Sequence, residues 1–121
     1  LENVKVKGRI WIETDYGLRI GKGRTALLEQ IDRLGSITEA AKVLRIPYRR
    51  AWGIIQDINS ASLQKLVIKK AGGKAGGESC LTEYGKNIVE EFKTVEEHFQ
   101  KFSKDESNRF SRRKKLQDGT R

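Results

Sequence analysis

The sequence predicts a mainly α fold with small β elements: a winged helix-turn-helix with an N-terminal β-hairpin and a long C-terminal dimerisation helix. Three observations predict it. Two short amphipathic helical patterns meet across a tight break just before Pro47. The run Ala71 to Gly77, with four glycines in seven residues, separates two short β-prone stretches. Residues 88–102 carry apolar side chains at heptad spacing.

Residues 4–20 read as the hairpin. Val4, Val6, Ile10 and Ile12 alternate with Lys5, Lys7, Arg9 and Glu13. Gly8 interrupts the apolar row as a bulge would, and Asp15-Tyr16-Gly17 has turn chemistry. Three helices fill residues 24–59. The first, 24–34, carries the stripe Leu27, Leu28, Ile31 and Leu34 and stops at Gly35. Ser36 caps the second, 37–44, and Glu39 three residues later completes an S-x-x-E capping box. Pro47 suits the first turn of the third helix, where its missing N–H costs nothing, and Ala51, Ile54, Ile55 and Ile58 form the apolar face. Residues 66–82 read as the wing, with Leu66-Val67-Ile68 and Ser79-Cys80-Leu81 flanking the glycine run. Thr82 caps a fourth helix, 83–102. The domain therefore spans 1–102. Residues 103–121 have few apolar side chains and the block Arg112-Arg113-Lys114-Lys115, and they read as a basic, disordered tail.

A chain of 121 residues fits one domain. Charged residues make up 34%, the net charge is +9 and the mean hydropathy is -0.64. A small domain this basic points to a polyanionic partner, with nucleic acid first. The excess is local: residues 45–78 and 101–121 each carry +5, while residues 79–100 carry -3. Cys80 is the only cysteine, which excludes an intrachain disulfide and a cysteine-built metal cluster. His98 is the only histidine and has no Asp or Ser at a telling spacing. The fourth-helix acids Glu83, Glu90, Glu91, Glu96 and Glu97 lack a partner histidine or metal set. These features predict no catalytic residue, no metal and no cofactor. There is no apolar leader and no apolar run near the ~20 residues of a membrane span, so the expectation is a cytoplasmic protein with no membrane partner.

The helix-turn-helix reading rests on fixed offsets. Ala41 is the small residue where two helices cross, and Leu44, Ile46, Ala51 and Ile54 lie three, five, ten and thirteen positions beyond it. Arg45 takes the left-handed turn position where glycine is usual, at a strain on the order of 1 kcal/mol. With Ala51, Ile54 and Ile55 inward, Tyr48, Arg49, Trp52, Gly53 and Gln56 lie on or near the face that would enter the major groove of double-stranded DNA. Arg49 can pair bidentately with guanine, and Tyr48 can touch a thymine methyl or a phosphate. Arg50 lies nearer the flank, which favours phosphate. Gly53 would admit close backbone approach. Two placements are open for Trp52, on the groove face or beneath the wing. Ser36 and Thr38 at a helix N-terminus are candidates for phosphate, beside a purely structural role. The glycine run fails as a phosphate-binding P-loop because Ala75, not Ser or Thr, follows Lys74. As a wing it would present Lys69, Lys70 and Lys74 to the DNA backbone. The plainer alternatives are solvated charges at Arg49 and Arg50 and a flexible loop at 71–77.

Ile88, Phe92, Val95, Phe99 and Phe102 repeat at spacings of 4, 3, 4 and 3. Phe92, Val95, Phe99 and Phe102 are expected to form a homodimer seam, since so long an exposed aromatic stripe is unsafe in a monomer. A dimer would read two half-sites. The leading expectation is a sequence-specific transcription regulator. The alternatives are a non-specific nucleoid-type or RNA-binding protein, or a protein-interaction module using the aromatic seam.

Four stretches carry a family likeness: Gly35-Ser36-Ile37-Thr38-Glu39-Ala40-Ala41-Lys42, Pro47-Tyr48-Arg49-Arg50-Ala51-Trp52, Gly72-Gly73-Lys74-Ala75-Gly76-Gly77 and Leu81-Thr82-Glu83-Tyr84-Gly85. With Gly21-Lys22-Gly23-Arg24 and Leu27-Leu28, they resemble the N-terminal, LysR-like winged domain of the ModE family of molybdate-responsive transcription regulators. The likeness covers residues 8–100. It implies a DNA-binding regulator that acts as a homodimer through its terminal helices. The molybdate-binding β-barrels of full-length members have no counterpart in these residues, so no molybdate site is expected in this chain.

Overall fold

The computed structural model describes residues 3–70 and 78–119, with side chains as far as Arg112. The glycine run 71–77, Lys74 included, lies outside the described residues. In chain order the elements are β1 Ile12–Glu13, β2 Arg19–Ile20, α1 Lys22–Leu34, α2 Ile37–Leu44, α3 Tyr48–Ser60, β3 Val67–Lys69, β4 Ser79–Leu81 and α4 Glu83–Gly119. This is a winged helix-turn-helix of helices and two small antiparallel sheets, β1–β2 and β3–β4. The chain forms two units, residues 11–92 and residues 1–10 with 93–121.

The larger unit holds the main core. Leu27, Leu28 and Ile31 of α1, Ile37, Ala40 and Ala41 of α2, and Ala51, Ile55 and Ile58 of α3 are all buried. Their 3- and 4-residue spacings put each set on one helix face, so α1 packs on α2 and α2 on α3. Gly35 ends α1 in the left-handed conformation at φ 72°, its N–H donating to the Ile31 carbonyl at 2.7 Å. β4 is then fastened to this corner. The Ser79 N–H donates to the Gly35 carbonyl at 2.9 Å, and the Leu81 N–H donates to the Asp32 carboxylate at 3.2 Å. Thr82 caps α4 by accepting from the Gly85 N–H at 3.0 Å. Gly85 is where α4 crosses the wing: a Cβ there would overlap the Leu66 carbonyl oxygen.

The N-terminal β-hairpin is shorter than the sequence predicts. Only Ile12–Glu13 and Arg19–Ile20 pair, about a turn in which Gly17 has φ 93°. The Glu13–Arg19 register brings their side chains together at 3.2 Å, with the Arg19 guanidinium over the Trp11 ring. Residues 4–10 are in no strand. The expected alternation survives in burial, with Val4, Val6 and Ile10 half-buried and Lys5, Lys7 and Arg9 exposed.

The smaller unit explains both that difference and a second one. α4 continues to Gly119, where the sequence predicts an end at Phe102 and disorder beyond. Ser103, Ser107 and Ser111 recur every four residues, so their hydroxyls line one helix face. The Val4 and Val6 N–H groups donate to Ser111 Oγ at 2.9 Å and Ser107 Oγ at 2.7 Å, and the Ser103 and Ser111 hydroxyls donate to the Val6 and Val4 carbonyls. The backbone groups that a second strand would have satisfied are met by serines instead. Low apolar content therefore misleads here, because hydroxyls hold the segment. The exposed pairs Lys101–Asp105 and Glu106–Arg109 add i, i+4 and i, i+3 support. The hydrogen bond from Arg109 holds the Glu106 carboxyl below its usual range. Gly8 marks no bulge; a Cβ there would lie 3.0 Å from the Phe99 ring, so its bareness admits that ring.

The aromatic seam is divided. Phe92, expected at a dimer surface, is only 1% exposed in its own chain. Its position one turn past Val89 puts it in the core of the larger unit, and it is not available to a partner. Val95 and Phe102 are 40% and 56% exposed, and Phe99 is half-buried with its ring 6.4 Å from that of Phe102. Phe110, in the stretch read as a tail, is 48% exposed.

Candidate nucleic-acid interface

The interface candidate is assembled from α2, the turn and α3. Ser36 Oγ accepts from the Glu39 N–H at 3.1 Å, so the cap forms, and the Glu39 carboxylate pairs with Lys42 Nζ at 3.6 Å. The Ser36 hydroxyl is thus occupied by its own helix, while Thr38 is exposed. Ala41 of α2 is buried, at 2% exposure, and α2 packs on both α1 and α3. Arg45 adopts φ 56°, ψ 43°, the left-handed position expected of it, and it is the one non-glycine with positive φ among the described residues. The turn is closed by the Arg45 N–H to the Lys42 carbonyl at 3.1 Å and the Ile46 N–H to the Ala41 carbonyl at 3.0 Å. Pro47 (φ -60°, ψ 141°) caps α3 from just outside rather than sitting in its first turn, and it supplies no side-chain bond.

α3 is two-faced. Ala51, Ile55 and Ile58 are buried, and Ile54 is half-buried. Tyr48, Arg49, Arg50, Gly53 and Gln56 are exposed, Tyr48 by 52%. Among the described residues nothing fills the space above Gly53: a Cβ there would meet no atom within 4 Å. Arg45, Arg49 and Arg50 have no carboxylate partner among the described residues. On the helix flank Asp57 is engaged by Arg24 of α1 at 2.9 Å, which ties α3 to α1.

Trp52 lies beneath the wing strand. Its ring is half-buried, with Lys69 Nζ 5.9 Å from the ring centroid. Lys69 and Lys70 are exposed, and Lys70 N–H pairs with the Glu78 carbonyl at 2.8 Å across the wing stem. A cleft of about 690 Å³ beside α3 and β3 is lined by Trp52, Ile55, Gln56, Lys65, Val67 and Lys69, among others. Asn59 is the residue that sequence reasoning missed. Its Oδ1 accepts from the Leu66 N–H at 2.9 Å and the Val67 N–H at 3.2 Å, and its Nδ2 donates to the Val67 carbonyl at 2.9 Å. One amide thus clamps the wing stem to α3. In sequence it reads only as a turn former in Asn59-Ser60-Ala61-Ser62.

The chain is 40% identical over 92 residues to the molybdenum transport protein ModE of Azotobacter vinelandii, an alignment covering 76% of this chain and 34% of that protein. The chain belongs to the ModE family. It is also 45% identical over 67 residues to the transcriptional regulator ModE of Yersinia pestis, covering 55% of this chain and 26% of that protein. Against the DNA-binding transcriptional dual regulator ModE of Escherichia coli K12 it is 40% identical over 67 residues, with the same two shares, 55% and 26%. This ModE-family chain therefore spans about a third or less of the length of these relatives. No protein-family profile matches the chain. Among the described residues there is no group of three or more His, Cys, Asp or Glu able to hold a metal ion, and no helix long and apolar enough to cross a membrane.

Proposed function

We propose that this ModE-family chain is a sequence-specific DNA-binding transcription regulator, with α3 in the major groove and the wing against the DNA backbone. One observation carries the reading. The helix that follows the Ala41–Arg45 turn buries Ala51, Ile55 and Ile58 and turns out Tyr48, Arg49, Arg50 and a bare Gly53, with no acid among the described residues to neutralise the arginines. That is an uncharged-backbone approach flanked by cations, which suits base edges beside phosphates. In this reading Arg49 and Tyr48 read bases, Arg50, Lys69 and Lys70 contact phosphate, and Thr38 and Gln56 border the groove. Ser36 serves its cap. The Escherichia coli relative is a DNA-binding transcriptional dual regulator and the Yersinia pestis relative a transcriptional regulator, which supports the class. We include a homodimer, through Val95, Phe102 and Phe110 rather than Phe92. These side chains are exposed on a unit that consists of one helix and one extended segment, which by itself has little core.

The test is equilibrium binding of a selected duplex and a random duplex at one salt concentration. Arg49→Ala should weaken binding to the selected site by about 1–3 kcal/mol and relax preference at one base position. Equal affinity of the wild type for both duplexes would replace this reading with a non-specific, nucleoid-type binder.

A further inference from the structure

β3 runs back along α3, and it touches the helix at two points. Val67 is clamped by Asn59, and two residues later Lys69 reaches Trp52, seven residues nearer the start of the helix. Residues 52 and 59 lie two turns apart and share a helix face, while residues 67 and 69 share one side of the strand. Seven helical residues rise about 10.5 Å and two strand residues about 6.7 Å, and the lysine stem spans the difference. The lysine therefore points toward the Tyr48–Arg49 end of α3. Lys69 has no carboxylate partner among the described residues, and its ammonium lies 5.9 Å from the Trp52 centroid. The distinction is chemical. A carboxylate would orient the ammonium but cancel its charge, whereas an aromatic face orients it and leaves the charge intact.

We propose that Trp52 is a positioning residue that does not read bases: its ring holds the Lys69 ammonium so that it neutralises a backbone phosphate of the duplex whose groove α3 reads. This rests on the DNA-binding reading above. It also accounts for a tryptophan that is half-buried under a wing strand and lines a cleft, instead of being displayed in the groove.

Two measurements on the full chain test it. The first needs no DNA. In a Trp11→Phe background Trp52 is the sole tryptophan, and Lys69→Met should shift its emission. Unchanged emission would overturn the contact. The second is duplex binding across a salt series for the wild type, Lys69→Met, Trp52→Leu, Trp52→Phe and the Trp52→Leu/Lys69→Met pair. Each neutralised phosphate contributes about 0.9 to the slope of log K against log salt. Lys69→Met should lower the slope by about that amount. Trp52→Leu should lower it similarly although it removes no charge, a result that loss of packing alone does not produce. Trp52→Phe should retain the slope, and a lowered slope there would overturn the proposal even should Trp52→Leu fold poorly. The double variant should fall no further than Lys69→Met. A wild-type slope in Trp52→Leu, or additive losses in the pair, would overturn the proposal. A wild type that binds no duplex while the emission shift persists would instead overturn the DNA-binding reading and the phosphate role with it.

Discussion

Replacing Gly53 with alanine sets stability against binding at a single atom. Gly53 lies inside α3 and has no positive φ, and among the described residues an added Cβ would meet nothing within 4 Å. Glycine in a helix interior is about 0.8–1.0 kcal/mol less favourable than alanine. With no clash to offset that gain, Gly53→Ala should stabilise the protein by about 0.5–1 kcal/mol and raise Tm by roughly 3–6 °C. If the bare backbone is there to meet DNA, the same methyl overpacks the groove contact. Misfits of that kind cost about 1–3 kcal/mol, roughly five- to 150-fold in Kd. Urea denaturation gives the first quantity and fluorescence anisotropy on a selected duplex gives the second. Gly85→Ala is the internal control, because the added Cβ overlaps the Leu66 carbonyl oxygen and should destabilise by more than about 1 kcal/mol. A more stable Gly53→Ala protein that binds as the wild type does would refute the close-approach argument. A destabilised one would refute the claim that this face is free of intramolecular packing.

Four other substitutions probe the frame around the interface. Asn59→Ala strips partners from two N–H groups and one carbonyl of the wing stem, and should cost about 2–3 kcal/mol in chemical denaturation, with faster hydrogen exchange at Leu66 and Val67. Arg45→Gly relieves a left-handed non-glycine at φ 56° and should stabilise by about 0.5–1 kcal/mol; a loss of stability would mean the arginine side chain contributes more than the strain. Phe102→Asp places a charge in the exposed stripe of α4 and should shift a dimer to monomer by light scattering without loss of helix content, whereas Phe92→Asp, at a buried site, should unfold the larger unit.

Much of the fold is legible in sequence because its signals are local. Gly35 as a stop, Ser36 as a cap and Arg45 as a left-handed turn depend on a few neighbouring residues, and each takes the conformation expected of it. The apolar offsets from Ala41 are equally local, and they set which side of α3 is buried. The errors fall where the deciding partner is distant in sequence. Val4 and Val6 alternate as a strand does, yet their hydrogen bonds go to serines about 100 residues away. The serine ladder at 103, 107 and 111 is visible as a four-residue spacing, but hydroxyls score as solvent-loving and conceal the helix. Gly85, an isolated glycine in a helical pattern, carries a readable hint of close packing.

The residues alone determined that two helices meet at a tight turn before Pro47, and that Tyr48, Arg49 and Gly53 face away from the core, because periodicity needs no knowledge of the partner. Only the tertiary structure decided what Trp52, Asn59 and Phe92 do. A tryptophan, an amide and a phenylalanine each suit more than one environment. The choice was made by β3, which pairs with β4 and lies against α3, and by the packing of the larger unit. Trp52 lies under Lys69, Asn59 grips the wing stem, and Phe92 belongs to the core instead of a dimer seam.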